Sequence, residues 1–147
     1  MKVQYFYFLI AVPCITYAHN YGCATVGASM EQGLFDSIVK DLKIEPEFIQ
    51  RSKTRVDILD ISPISPVFAK QLAHIDYEFD KSGTGKAILS KKEYFSTLYD
   101  NNVKSITAKY TYLNKENKKD VFIATSLMNR DECSIRFNGY ITLSREF

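Results

Sequence analysis

Asp76, Glu78 and Asp80 fall two residues apart in mid-chain, with Asp57 and Asp60 upstream. Two carboxylates suffice for glycoside hydrolysis, one as acid and the other as base or nucleophile. Here the acids alternate with Ile75, Tyr77 and Phe79, which predicts a strand whose acidic side faces water. A solvated face is therefore the first reading of these carboxylates. A small secreted toxin or hydrolase working around Asp76 is the rival.

Two ligand-binding motifs are approached over the same stretch and missed. With Gly83 at position six of a calcium loop, Glu78, Asp80 and Ser82 take positions one, three and five, but position eight is Gly85 and position twelve is Leu89. Without the bidentate twelfth-position glutamate the coordination shell is short of two oxygens. Gly85-Lys86 resembles the end of a phosphate loop, yet Asp80 stands where its first glycine belongs and Ala87 follows the lysine. Both stretches read as a plain turn. His19 and His74 are the two histidines, too few for a zinc site without carboxylate help, and a Ser-His-Asp triad would have to use one of them. No nucleophile-elbow motif is present. The expectation is no catalytic residue, no metal and no cofactor.

The compartment is read from the first eighteen residues, MKVQYFYFLIAVPCITYA. Lys2 gives a positive start, Val3–Val12 is mostly apolar, Pro13 breaks the run, and Thr16-Tyr17-Ala18 offers small residues at the positions a signal peptidase reads. This is the three-part pattern of an export leader, with cleavage between Ala18 and His19. The run is short of the ~20 residues needed to span hydrocarbon, so no membrane anchor is expected after cleavage. Lipid attachment fits poorly: Cys14 follows a proline, and Cys23 lacks an apolar residue three places earlier. A new amino terminus at His19 could join its own ring and His74 in chelating copper(II), but a frayed terminus is the simpler expectation.

Removing residues 1–18 takes Cys14 away and leaves Cys23 and Cys133. An even pair in an exported chain most simply forms one disulfide, here tying the start of the remaining chain to its last fifth. The expected location is periplasmic or secreted.

The elements that must position these groups are legible from periodicity. Residues 19–147 are enough for one domain. Hydrophobic residues make up 46% and charged residues 24%, with a formal charge of +2, which excludes a disordered chain and gives no strong field toward nucleic acid. Ser29 with Gln32 resembles a capping box opening a helix over 30–42, where Leu34, Phe35, Ile38, Val39 and Leu42 recur at helical spacing. Pro46 starts a short turn through Gln50, and Thr54–Ile61 reads as a strand. Ser65-Pro66 opens a short helix over 66–73. The 75–80 strand and the 82–85 turn follow, and Ser90 caps a helix over 91–100 with Phe95, Leu98 and Tyr99 inward. The last third is a three-stranded meander over 103–113, 120–128 and 133–145. Ile106, Ala108, Tyr110 and Tyr112 share a face of the first strand, and the second is apolar on both faces, hence central. Asn138-Gly139 would normally announce a hairpin. Parity argues against one, because Cys133, Ile135, Phe137, Ile141 and Leu143 keep in step across it. One long strand results, with Gly139 marking curvature. The fold class is α+β: helices packed on one face of a curved antiparallel sheet with a C-terminal three-stranded meander.

By elimination, the sequence favours an exported, non-enzymatic protein acting through protein–protein contact, such as an inhibitor, an immunity-type protein or an accessory subunit. A carrier of a small apolar ligand is a further alternative. Tyr94 and Tyr140, on polar-side positions, and the basic turn Lys115, Lys118 and Lys119 are the candidate binding surface.

Overall fold

A computed structural model describes residues 21–147. The leader, the Ala18–His19 bond and His19 lie outside the described residues.

After a single 3-10 turn at Tyr21–Ala24, helix α1 runs over Ser29–Leu42. Met30, Leu34 and Ile38 are fully buried on its inner stripe, the spacing that turns one helical face to a core. Ser29 is not the cap. Ala28 holds that position without a side-chain bond, and Gln32 reaches forward to Asp36 at 2.7 Å rather than back. Two 3-10 turns at Pro46–Phe48 and Arg51–Lys53 lead into strand β1, Arg55–Pro63.

Helix α2 then spans Pro66–Thr84, capped by Ser65, whose hydroxyl accepts from the Phe68 amide at 3.2 Å. It overturns the expected strand at 75–80 and the expected turn at 82–85. The buried and half-buried positions are Ala69, Leu72, Ala73, Asp76, Tyr77 and Asp80, spaced by threes and fours. Alternating Ile75 and Phe79 are 46% and 75% exposed, so the period of two belonged to residues that do not face the core. The helix ends at Gly85, in the left-handed conformation. Helix α3, Lys91–Tyr99, is capped by Ser90 as expected, and the cap is a full capping box: Glu93 accepts from the Ser90 amide at 2.8 Å while its own amide donates to the Ser90 hydroxyl at 3.3 Å. Leu98 points inward as expected, but Tyr99 lies at the surface, stacked on Phe95.

Strands β2 (Lys104–Leu113), β3 (Lys119–Met128) and β4 (Arg136–Ser144) form the meander, and the four-stranded sheet is antiparallel in the order β1-β2-β3-β4. No hairpin forms at Asn138-Gly139. Instead β4 carries a bulge there, since Thr125 pairs with Gly139 and Ser126 with Phe137. Gly139 takes φ +101°, a region that penalises any side chain, and the bulge bends the strand. The regular strand starts at Arg136 rather than Cys133; the preceding residue, Ile135, already donates its amide to the Leu127 carbonyl at 2.8 Å.

The two faces of β3 serve different cores. Phe122, Ala124 and Met128 join Ile106, Ala108, Tyr110, Tyr112 and the α1 stripe in the main cluster. Gly33 lets α1 approach β4, because a Cβ there would lie 3.1 Å from the Phe137 ring. Leu127, opposite in parity, belongs to a second cluster with Ile64, Ala69, Leu72, Ala73, Leu98 and Val103. The α2–α3 pair thus packs around the end of the sheet while α1 covers its main buried face. The chain closes on Asp120, a fully buried carboxylate that accepts from the Glu146 amide at 2.7 Å and the Phe147 amide at 3.2 Å.

Candidate functional site

Glu31 sits on the same stripe of α1 as Leu34 and Ile38, and its side chain is wholly buried. Its carboxylate accepts from the Gly27 amide at 2.8 Å, from the Tyr112 hydroxyl at 2.9 Å and from Arg51 through both Nε and Nη2. Arg51 comes from the 3-10 turn before β1, and its guanidinium lies 4.4 Å from the Phe35 ring centroid. The hydrogen bonds it donates to Glu31 raise the Arg51 pKa above its ordinary value. Burial, then the Glu31 charge, pushes Tyr112 well above the usual tyrosine range, and the same two causes raise Tyr110. Tyr110 donates to the Ala24 carbonyl at 2.9 Å. With every oxygen engaged by donors of the fold, this carboxylate serves the structure and is not offered to a substrate. The sequence carried a signal for it: an acid in step with Leu34 and Ile38 on an apolar stripe needs a cation inside the fold.

The mid-chain carboxylates are brought together by α2, not by a strand. Asp76 is gripped by Arg136 of β4, whose Nε and Nη2 donate at 2.9–3.0 Å. Asp80 accepts from the Tyr94 hydroxyl of α3. Glu78 lies 3.5 Å from Lys91 and 3.7 Å from His74. Each acid therefore joins α2 to another element or to its own next turn. Asp57 and Asp60 are on β1; Lys109 across the strand pair, at 3.1 Å, holds the Asp57 carboxyl below the ordinary range. Among the described residues, no group of three His, Cys, Asp or Glu side chains is placed to hold a metal ion.

Tyr94 and Tyr140 do not stand on open surface. Tyr94 is half-buried against the second cluster, edge-on to Tyr77. Tyr140 packs edge-on to Phe122, and its hydroxyl donates to Asp41 at 3.2 Å. Burial, then the neighbouring Asp41 charge, raises its pKa. Lys115, Lys118 and Lys119 are exposed at the β2–β3 turn as expected, although Lys118 pairs with Glu116 at 2.8 Å. Cys23 and Cys133 form a disulfide, with Cα atoms 4.9 Å apart and a sequence separation of 110. A depression of about 260 Å³ is lined by Asn101, Asn102, Arg130 and Asp131. No helix among the described residues is long and apolar enough to cross a membrane.

What the surface does offer is apolar. Val67, Phe79 and Ile88, all on or beside the α2–α3 hairpin, are 77%, 75% and 77% exposed. The chain matches no protein-family model, no curated protein and no solved structure.

Proposed function

We propose that the chain is an exported, non-enzymatic protein that works by binding another protein, as an inhibitor, immunity-type protein or accessory subunit does. The observation that carries this reading is the division of labour among side chains. The conspicuous carboxylates, Glu31, Asp76, Asp80 and Asp120, are occupied in holding elements together. Large apolar side chains on the α2–α3 hairpin are left in water, the surface composition of an interaction site. Export is supported by the Cys23–Cys133 disulfide, a bond that persists in oxidising compartments, and by the leader-like first eighteen residues.

Two surfaces suit a partner. One is the tip of the α2–α3 hairpin around Ile88, where Lys86 and Lys92 supply exposed positive charge. The other is the basic turn of Lys115, Lys118 and Lys119.

Affinity purification of the tagged protein from an exporting host tests the reading. A stoichiometric protein partner that is lost from the Ile88→Glu variant is the expected result. Turnover of glycan or peptidoglycan fragments that disappears in Asp76→Asn would overturn it in favour of a hydrolase. A small molecule retained in the native mass spectrum would overturn it in favour of a carrier.

A further inference from the structure

Residues 81–92 read KSGTGKAILSKK, with four lysines and no acid. They form the tip of the helical hairpin: the last turn of α2, the link through Ser90 and the start of α3. Ile88 and Leu89 stand in that link, 77% and 37% exposed, and Lys81, Lys86, Lys91 and Lys92 are exposed around them. Lys91 lies 3.5 Å from Glu78; among the described residues no carboxylate pairs with Lys81, Lys86 or Lys92. Several backbone groups of the tip carry their own partners. The Gly85 amide donates to the Lys81 carbonyl at 2.9 Å and the Ser82 hydroxyl to the Phe79 carbonyl at 2.7 Å. The Thr84 hydroxyl donates to the Lys86 carbonyl at 2.6 Å and the Ser90 amide to Glu93 at 2.8 Å. Helix-end groups satisfied in this way can leave water at small cost, which is the condition for entering lipid.

We propose that this tip docks on the surface of an anionic phospholipid bilayer, with Ile88 and Leu89 in the headgroup region and the lysines on the lipid phosphates. Charge complementarity commits the site to that occupant, because clustered lysines around exposed apolar side chains are what anionic lipid attracts. A protein seat fits the same residues less well. Protein interfaces draw on Arg, Tyr and Trp and are poor in Lys, whereas residues 79–92 hold no Arg, Tyr or Trp and every cation among them is lysine. A lysine stem lies along apolar surface and lifts its ammonium to the level of the phosphates. The contact is a reversible adsorption, far short of a spanning helix. It goes beyond the protein-binding reading. A protein partner that resides at such a surface is lost from Ile88→Glu as well, and protein-free vesicles tell the two apart.

Co-sedimentation with protein-free vesicles tests the proposal, phosphatidylcholine alone against phosphatidylcholine with about one third phosphatidylglycerol. The chain binds the anionic vesicles and not the neutral ones, and leaves them as salt rises from about 0.05 to 0.5 M. Lys86→Gln and Lys92→Gln each weaken binding about fivefold, and Ile88→Ser about tenfold. Lys53→Gln, at an exposed position in the turn before β1, leaves it unchanged. The chain has no tryptophan, so Ile88→Trp supplies a single reporter. Its emission shifts to the blue on anionic vesicles, while that of Ile141→Trp, at an exposed position of β4, does not. Circular dichroism checks that each variant is folded. No binding at low salt, equal binding to neutral and anionic vesicles, or anionic binding that leaves Ile88→Trp unshifted overturns the proposal. A protein partner that depends on Ile88 while vesicles go unbound overturns it in favour of a protein seat.

Discussion

On α1, Met30, Glu31, Leu34 and Ile38 are fully buried, and a charged group is among them. On α2 the buried residues are Ala69, Leu72 and Ala73, and Phe79 is left 75% exposed. The first helix lies on a sheet face that supplies Tyr110, Tyr112 and Phe122, large enough to surround a carboxylate and carry its donors. The second lies at the end of the sheet, where Ile64, Val103 and Leu127 cover only one side of it. A broad apolar face can enclose a satisfied ion pair; a narrow one leaves big side chains outside. On this ground the hairpin is expected to open at lower free energy than the α1 side.

Removing the disulfide attacks the stronger region most heavily. Cys23→Ser combined with Cys133→Ser should lower the unfolding free energy by about 4 kcal/mol, because the bridge closes a very long loop. Urea denaturation with intact-mass control measures it, and a loss below about 1 kcal/mol would remove the α1 side's advantage. Glu31→Ala should cost about 3 kcal/mol, since Tyr112 and the Gly27 amide lose their acceptor and Arg51 its counter-ion. Arg51 still reaches water with 30% of its side chain, which keeps the cost at the lower end for a broken buried pair.

Alkaline titration sharpens the contrast. Tyr110 and Tyr112 have folded pKa values raised above the ordinary 10.0, so the folded state keeps protons that the unfolded chain releases. Their contribution is complete below pH 10 and is lost as the pH rises from there toward the raised values, by up to about 1.4 kcal/mol per pH unit for each tyrosine. Stability curves from pH 9 to 12 should bend downward in the wild type and flatten in Tyr110→Phe/Tyr112→Phe. The smallest effect is at the joint between the regions. Asp76→Ala frees Arg136, itself 22% exposed, and should cost about 1.5 kcal/mol globally. Hydrogen exchange should quicken across residues 66–99 and not in 29–42; uniform acceleration would mean that the two regions open as one.

Much of the α1 side was legible in advance. The α1 stripe, the parity of β2 and β3 and the continuity of β4 through Gly139 all follow from local period and chemistry, and structure and pattern agree on them, as they do on the Ser90 cap in the hairpin. The hairpin was harder to read, for a reason tied to its packing. Ile75, Tyr77 and Phe79 alternate, but only Tyr77 of the three is turned toward the fold; period analysis assumes that large apolar residues mark the buried side, and α2 breaks that assumption. Ser29 failed as a cap because Gln32 found Asp36 and Arg51 instead of the helix start. The Glu31 cluster depends on Arg51 and Tyr112, 20 and 81 residues away, and no local window holds that pairing.

Asp120 carries one further consequence. It stands second in the third strand, yet the amides that satisfy it belong to Glu146 and Phe147. One carboxylate thus pins the segment that follows the fourth strand back onto the third, fastening it by a side chain where the backbone ladder has ended.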